Sequence, residues 1–464
     1  MNGQQFYERL PWPLQTLALN IYAGKIHVER FGPRFRLELE RSLERERWPQ
    51  EALEEYQRTR LQELVRHAYE SVPYYRRIFD ERGLTPGDVR SPSDLPRLPL
   101  LTREDVRRNL PDLISSRVPR ESLAMGRTSG TTGSPLQFYW DRDMRFMNNI
   151  ADWRQKAVAG LTHGQPHAVL YGRMIVPTSQ RKPPFWRMNY FDNQLWLSTF
   201  HISTENLGFY VQKLRRFRPQ VLEGYPSTVE MVSRYLEERG ERLPLHAVLT
   251  TSETLRPDQR ERIERVFDCR VFDFYGLAER VIFSTECERH EGHHVNLDYG
   301  LLEITNDRGE PVAEGELGWI VGTSLHNRGM PFLRYKTGDV TRLRMRPCSC
   351  GRRFPIMEDV TTKAEDVIVT RDGRFISPSV LTHPFKPLQG IAMSQIIQED
   401  RDHLTVKIVR AAGFRDEQGE TLVRGLQERV GAEMRIRLEF VDEIPRSGNG
   451  KFKWVVSKVP FTIQ

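Results

Sequence analysis

Cysteine is scarce, with four in 464 residues, so a disulfide framework is not the main source of stability. A reducing cytoplasm is the expected compartment. No apolar run approaches the ~18 residues that would suggest a spanning helix. The opening Met1-Asn2-Gly3-Gln4-Gln5 lacks the basic and apolar regions of a secretory signal. The segment from Trp12 to Ile26 is mildly amphipathic and is read as a helix docked on its own domain. Lysine is scarce too: 11 residues against 58 arginines, three of them at Lys451, Lys453 and Lys458. There is no internal repeat, no low-complexity tract and no block of like charge marking a tail.

What is there fits a soluble globular protein: 38% hydrophobic and 28% charged residues. The length predicts roughly two to four domains. A net charge of +7 and a pI near 9.2 are spread along the chain. They bear on solubility and steering more than on function, and no nucleic-acid partner is expected.

The middle of the chain alternates strand and helix patterns. Strands are predicted at 168–171, 221–224, 247–250 and 270–274, with helices at 207–217, 226–239 and 258–267. This order implies a parallel α/β sheet, whose ligands sit beyond the carboxyl ends of the strands. Residues 35–70 read as an exposed helix followed by a buried stripe through Leu61, Leu64, Val65 and Ala68, and residues 84–104 as a proline-rich strap. After residue 300 short antiparallel strands are predicted at 301–305, 318–323 and 340–344. A small α+β unit follows from a boundary near 360–366. Its predicted strands lie near 366–370, 391–399, 403–410 and 434–441, with a helix near 416–430.

The most informative stretch is Arg127-Thr128-Ser129-Gly130-Thr131-Thr132-Gly133-Ser134-Pro135. Gly130 and Gly133 let backbone approach an anion, and consecutive N–H groups in such a turn form an anion-binding concavity. Hydroxyls surround them, which suits a triphosphate. No Gly-Lys pair follows, so this is not a P-loop. Four other stretches accompany it: Thr251-Ser252-Glu253 after a strand, Tyr275-Gly276-Leu277-Ala278-Glu279 after the next, Tyr335-Lys336-Thr337-Gly338-Asp339 before a strand, and Pro445-Arg446-Ser447-Gly448-Asn449-Gly450-Lys451 near the end.

In this order and spacing the five stretches resemble the adenylate-forming superfamily of acyl and aryl CoA synthetases. The nearest resemblance is to the phenylacetate–CoA ligase family and its capsule-biosynthesis relatives, over roughly residues 60–455. The resemblance implies an α/β fold: a large N-terminal adenylate-forming domain (1–362) with parallel sheets, helices and a small β-barrel-like part. A small mobile α+β domain (363–464) would follow and carry the catalytic lysine. It implies ATP and Mg²⁺ as cofactors, a small-molecule carboxylic acid as substrate and CoA as the acceptor. Thr128, Ser129, Gly130, Thr131, Thr132 and Gly133 would hold phosphates. Ser252 and Glu253 would wall the adenine, with Tyr275 stacked near it and Asp273 and Gly276 on the same strand end. Asp339 would accept from both ribose hydroxyls, since a carboxylate suits a vicinal diol. Arg334 would face the phosphate or the hinge. Glu279 would hold Mg²⁺; its bland alternative is an acid opening a helix. Lys451, with Glu279 and Thr131, forms the expected catalytic set. A long-stemmed ammonium suits a residue arriving late.

Two departures stand out. Ser134 occupies the place where most relatives carry a loop lysine. The hinge Thr362-Lys363-Ala364-Glu365-Asp366 keeps the acid and loses the family's glycine.

Thiolates with an imidazole form a tetrahedral zinc set. Cys287, His294, Cys348 and Cys350 are the expected structural zinc ligands, with His290 as an alternative ligand and free buried thiols as the alternative without metal. Cys269 is expected in the core. The aromatic stretch Tyr171–His201, with Phe185, Trp186, Tyr190, Phe191, Trp196 and Phe200, is either an acyl pocket or core, and Tyr225 is placed near the acyl site. Transfer to an amine or a carrier-protein thiol is a second reading, and a non-catalytic nucleotide-binding protein a third. Homodimers are common among such relatives, but no residue here demands one.

Overall fold

The computed structural model describes residues 7–127, 136–253, 255, 257–316, 318–358, 360, 368–376, 378–385, 387–411, 413–444 and 454–459. The loop 128–135, the hinge 362–366 and Lys451 with its loop lie outside the described residues. Among the described residues no helix is long and apolar enough to cross a membrane.

Three helices open the chain, Trp12–Arg30, Pro33–Arg45 and Gln50–Ser71. The second is not the exposed helix expected. Phe35, Glu38, Ser42 and Arg45 are buried on one face, at the i, i+3, i+7 spacing of a helix stripe. The charges pay for this by pairing: Arg45 bonds Glu38, and its Nη1 lies 2.9 Å from Asp298 Oδ2. Arg154 reaches the other Asp298 oxygen at 2.8 Å. The stripe on the third helix, Leu61, Leu64, Val65 and Ala68, is buried as expected.

A two-stranded ribbon, β1 (Ala124–Arg127) and β2 (Gln137–Trp140), flanks the expected phosphate loop. Next in the chain come β3 (His167–Leu170), β4 (Trp186–Asn189), β5 (Gln194–Leu197), β6 (Val221–Gly224), β7 (Ala247–Thr251), β8 (Arg270–Gly276), β9 (Phe283–Glu286) and β10 (His293–Val295). Then follow β11 (Gly300–Thr305), β12 (Gly318–Ser324), β13 (Tyr335–Thr341), β14 (Leu343–Arg344) and β15 (Ile356–Met357). Ten of these form one sheet in the order β14-β15-β10-β9-β8-β7-β6-β3-β5-β4. Its centre, β5-β3-β6-β7-β8, is parallel; β4 and the β9-β10-β15-β14 flank are antiparallel. Strands β6 and β7 are buried at every position, as a parallel sheet covered on both faces requires.

The covering helices follow from the sequence. Thr204–Phe217 is capped by Ser203, whose Oγ accepts from Asn206 N, and it buries Leu207, Tyr210, Val211 and Leu214. Pro226–Glu237 starts on a proline at its first position, where no N–H is needed. Each such apolar side chain contributes roughly 1.5–3 kcal/mol. Of the aromatic stretch, Phe185 and Phe200 are core, while Tyr190 and Phe191 are exposed.

Strands β11, β12 and β13 form a separate antiparallel sheet. The segment Tyr335–Asp339, expected before a strand, lies within one. Tyr335, Thr337 and Thr341 are buried at period two, a pattern that the turn-like Gly338-Asp339 pair hides in sequence.

The C-terminal unit contains β16 (Ile368–Val369), β17 (Phe375–Ile376), β18 (Ile391–Gln398), β19 (His403–Arg410), β20 (Arg435–Phe440) and β21 (Val455–Ser457). Its four-stranded sheet runs β20-β19-β18-β21. Leu422, Leu426 and Val430 of the helix Asp416–Val430 share its core with the fully buried Trp454. Phe200 and Tyr225 of the large unit belong to the same apolar cluster. Arg374 Nη1 donates to Phe200 O at 2.6 Å. A Cβ at Gly172 would stand 2.8 Å from Val380 Cγ2, so this approach requires glycine.

Candidate nucleotide site and cysteine cluster

The carboxyl end of β8 and the middle of β13 bring two of the sequence stretches together. Tyr275 Oη donates to Asp339 Oδ2 at 2.9 Å. Tyr335 Oη donates to Glu279 Oε1 at 2.7 Å. Burial, then Asp339, raises the Tyr275 phenol well above its ordinary value, with Glu279 adding in the same direction. Burial, then Glu279, does the same for Tyr335, so both phenols stay protonated donors. Arg103 and Arg107 act on Tyr335 with the opposite sign.

Asp339 is delivered by a bulge. Val321 pairs with Lys336 and Trp319 with Val340, so two steps along β12 face four along β13. The two extra residues bow out of the ladder, as bulges beside functional sites do. Gly338 takes φ +90° in this bend. Thr337 Oγ1 pins the bow by donating to Ile320 O at 3.0 Å, and it accepts from Asp339 N at 3.2 Å.

Glu279 does not open a helix. Leu277–Arg280 is a turn closed by Arg280 N to Leu277 O at 3.0 Å, with Arg280 at φ +58°. Its carboxylate is buried and oriented by Tyr335. Glu253 Oε2 accepts from Ser227 N at 3.1 Å, at the start of the helix Pro226–Glu237, and Ser252 follows β7 at φ +70°. Gly276 closes β8. Asp273 lies among protein partners: Thr250 Oγ1 donates to it at 2.5 Å and His293 Nε2 stands 3.8 Å away. Burial pushes its carboxyl up to about 7. Tyr225 is buried against Tyr171, ring centroids 5.3 Å apart.

Arg334 does not join this group, which corrects the expectation of a phosphate or hinge contact. It is buried, and its guanidinium donates to Glu303 at 2.8 Å, Leu98 O at 2.7 Å and Gly309 O at 2.5 Å. A guanidinium placed among a carboxylate and carbonyls is consumed by them. Tyr335, Thr337, Arg103 and Arg107 beside this group were not singled out from the sequence, where the Gly338-Asp339 pair hides the period-two pattern of Tyr335 and Thr337.

Cys287, His294, Cys348 and Cys350 each bring one donor atom within 4.8 Å of the others. Cys287 and Cys348 sulfurs are 3.7 Å apart, and Cys350 Sγ is 3.4 Å from His294 Nε2. Zinc bonded tetrahedrally to sulfur and nitrogen sets donor separations of roughly 3.5–3.8 Å, so the residues fit the ion. His294 Nδ1 lies 3.0 Å from Phe354 O. That contact assigns its proton to Nδ1 and leaves Nε2 free to ligate. Arg289 N and Arg352 N donate to Cys287 and Cys350 sulfurs, both at 3.4 Å. Burial raises the Cys350 thiol, but the Arg352 N–H and guanidinium outweigh it and hold the thiol below its ordinary value. His290 is turned elsewhere, toward Glu286 and Arg260. Cys269 packs against the core, and burial pushes it up to about 12.

The large mixed sheet, the separate antiparallel sheet and the small C-terminal α+β unit define the fold of an adenylate-forming enzyme. The crystal structure of a 2-hydroxyisobutyryl-CoA ligase with 2-HIB-AMP and CoA shares that fold at a TM-score of 0.60. It is 22% identical, with 89% of this chain and 91% of that one covered. The family described as CapK C-terminal domain matches residues 368–458. Protein CapK of Staphylococcus aureus is 27% identical over 463 residues, 98% of this chain and 99% of that protein. A phenylacetate-coenzyme A ligase of Thermus thermophilus is 28% identical over 444 residues, 89% and 98% of the two chains. Over nearly its whole length the chain is thus similar to CapK and to phenylacetate–CoA ligases, and it shares the fold of an acyl-CoA ligase.

Proposed function

We propose that this protein is an AMP-forming ligase that activates a carboxylic acid with Mg-ATP and passes the acyl group to CoA. The observation that carries this reading is the meeting of Tyr275–Asp339 with Tyr335–Glu279 at the end of β8. Two motif stretches about sixty residues apart there present acids for a sugar diol and for a cation, in a family whose relatives include CoA ligases.

ATP and a carboxylate repel each other, so charge must be neutralised while the attack is aligned. Asp339 orients ribose, and Thr128–Gly133 hold the outgoing phosphates. Glu279 is the residue that would hold Mg²⁺, which when bound shields phosphate charge. Lys451 supplies the ammonium between carboxylate and α-phosphate. A carboxylate oxygen bonds to the α-phosphorus and pyrophosphate leaves with its electron pair. The CoA sulfur then bonds to the acyl carbon, AMP leaves, and the thiol proton departs to solvent. A hinge at 362–366, as the sequence resemblance implies, would let one site run both half-reactions in turn. Cys287, His294, Cys348 and Cys350 hold a structural zinc that ties β10 to the 348–351 turn.

Carboxylate-dependent ATP–pyrophosphate exchange tests the first step. Lys451→Ala should slow it by about 100- to 1000-fold. Wild-type exchange in that variant, or no exchange with any acid of a broad panel, overturns the reading. Product analysis with CoA, an amine and a carrier protein identifies the acceptor.

A further inference from the structure

We propose that His27, His163 and Asp192 form a second site for a divalent transition metal, one that clasps the N-terminal helix to the β4–β5 edge of the large sheet. The residues come from three separate segments. His27 lies in the last turn of the helix Trp12–Arg30. His163 lies in the loop between the helix Arg142–Val158 and β3, and Asp192 in the turn joining β4 to β5. One donor atom of each lies within 4.8 Å of the others.

Three further observations make this more than proximity. His27 Nδ1 and Asp192 Oδ1 are 2.6 Å apart, so the carboxylate already faces an imidazole nitrogen. Asp192 Oδ2 accepts from Asn189 Nδ2 at 2.7 Å, the outer contact that orients a ligating carboxylate. His163 Nε2 is buried and has no hydrogen-bond partner among the described residues. A buried ring nitrogen left without a partner needs explaining, and an ion would satisfy it. The His163 ring is walled by Phe31, Trp153 and Phe35, with centroids 4.1, 5.0 and 5.5 Å away. An apolar wall on one side leaves the polar side to the cluster.

The donor chemistry narrows the ion. Two imidazoles and a carboxylate suit Zn²⁺, Co²⁺ or Ni²⁺ rather than Mg²⁺ or Ca²⁺, which prefer oxygen alone. Tetrahedral zinc wants nitrogen donors about 3.4 Å apart, so binding draws His163 toward the His27–Asp192 pair. Three protein donors leave a position for water. The site shares no residue with the cysteine cluster.

The test is metal content and calorimetry on the full-length protein, chelator-stripped and titrated with Zn²⁺. Wild type should bind one more ion per chain than His163→Ala and than Asp192→Asn. The same one-ion difference should persist in a Cys350→Ser background, where any ion at the cysteines is removed. Cobalt loading should show a matching loss of visible absorption without change in thiolate-to-metal bands. Asp192→Asn keeps the side-chain shape, so its result stands if His163→Ala folds poorly. Equal stoichiometry in wild type and Asp192→Asn overturns the proposal.

Discussion

The two edges of the ten-stranded sheet are closed by different means. An open edge offers unpaired backbone groups to any passing chain and has to be covered. At one end, β14 and β15 are two residues each, too short to hold by ladder bonds alone. There Cys348 and Cys350 fold back beside Cys287 and His294. At the other end, β4 is covered by the helix Trp12–Arg30. Asn20 donates to Met188 O at 2.7 Å and accepts from Tyr190 N at 2.8 Å. Leu19 and Ala23 are buried, while Leu17, Ile21 and Tyr22 stay exposed. Three thiols and an imidazole gather at one edge, where a structural zinc is proposed; packing and distributed hydrogen bonds cover the other, with the proposed histidine–aspartate clasp added to them. The first should fail all at once when a donor is removed, and the second by degrees.

The largest effect is expected at the cysteine edge. Cys350→Ser, or chelation of wild type, should destabilise the β10–β15–β14 flank by about 3 kcal/mol or more. Amide exchange at 293–295 and 356–357 should rise while that of β6 and β7 is unchanged. Equal exchange in variant and wild type would mean that packing, not the thiols, closes this edge.

Acid should distinguish the edges in the opposite sense. His201 stacks on Phe185, the residue before β4, with its ring between Ser198 Oγ at 2.8 Å and Pro177 O at 3.1 Å. Burial, then Arg374, pushes its pKa down to about 3. An unfolded histidine takes its proton near 6.5. Between those values the unfolded chain binds more protons, so stability falls as pH falls. The loss should reach about 2 kcal/mol between pH 8 and pH 5. Denaturant unfolding followed by tryptophan emission reads it, and His201→Gln should flatten the slope. An unchanged slope would remove His201 from the account.

The smallest effect belongs to a single link of the distributed edge. Asn20→Ala should cost about 1–2 kcal/mol, read as faster proteolysis within 12–30 with nucleotide exchange activity preserved. A loss as large as that of Cys350→Ser would erase the contrast between the edges.

The difference also explains what the sequence made legible. Cys348-x-Cys350 and the Cys287–His294 pair fall in two short segments, so their spacing signals a shared ligand set. His27, His163 and Asp192 are lone residues, the first two separated by 136 positions, and only the folded sheet edge gathers them. The parallel centre was readable because short strand-like segments alternate with helix-length patterns along residues 168–274. Glu279, Tyr275 and Asp339 were singled out by motif, whereas Tyr335 and Thr337, which lie beside them in the structure, were passed over. Their roles depend on which face of a bulged strand they occupy, and bulge position is a property of pairing with β12. Arg334 was misplaced for the same reason: Glu303, which consumes its charge, lies on β11, and sequence distance does not reveal adjacency across strands. Glu38 was read as surface because its partner Arg45 is drawn inward by Asp298, 253 positions from that arginine.

The outward bow of β13 makes the position of Asp339 a matter of counting rather than of shape. Shortening that strand by two residues would let the ladder close in register and carry the acid out of reach of Tyr275, with hardly a core atom disturbed. If Asp339 holds ribose as proposed, the length of this strand becomes a handle on sugar recognition, separate from the identities of the neighbouring side chains.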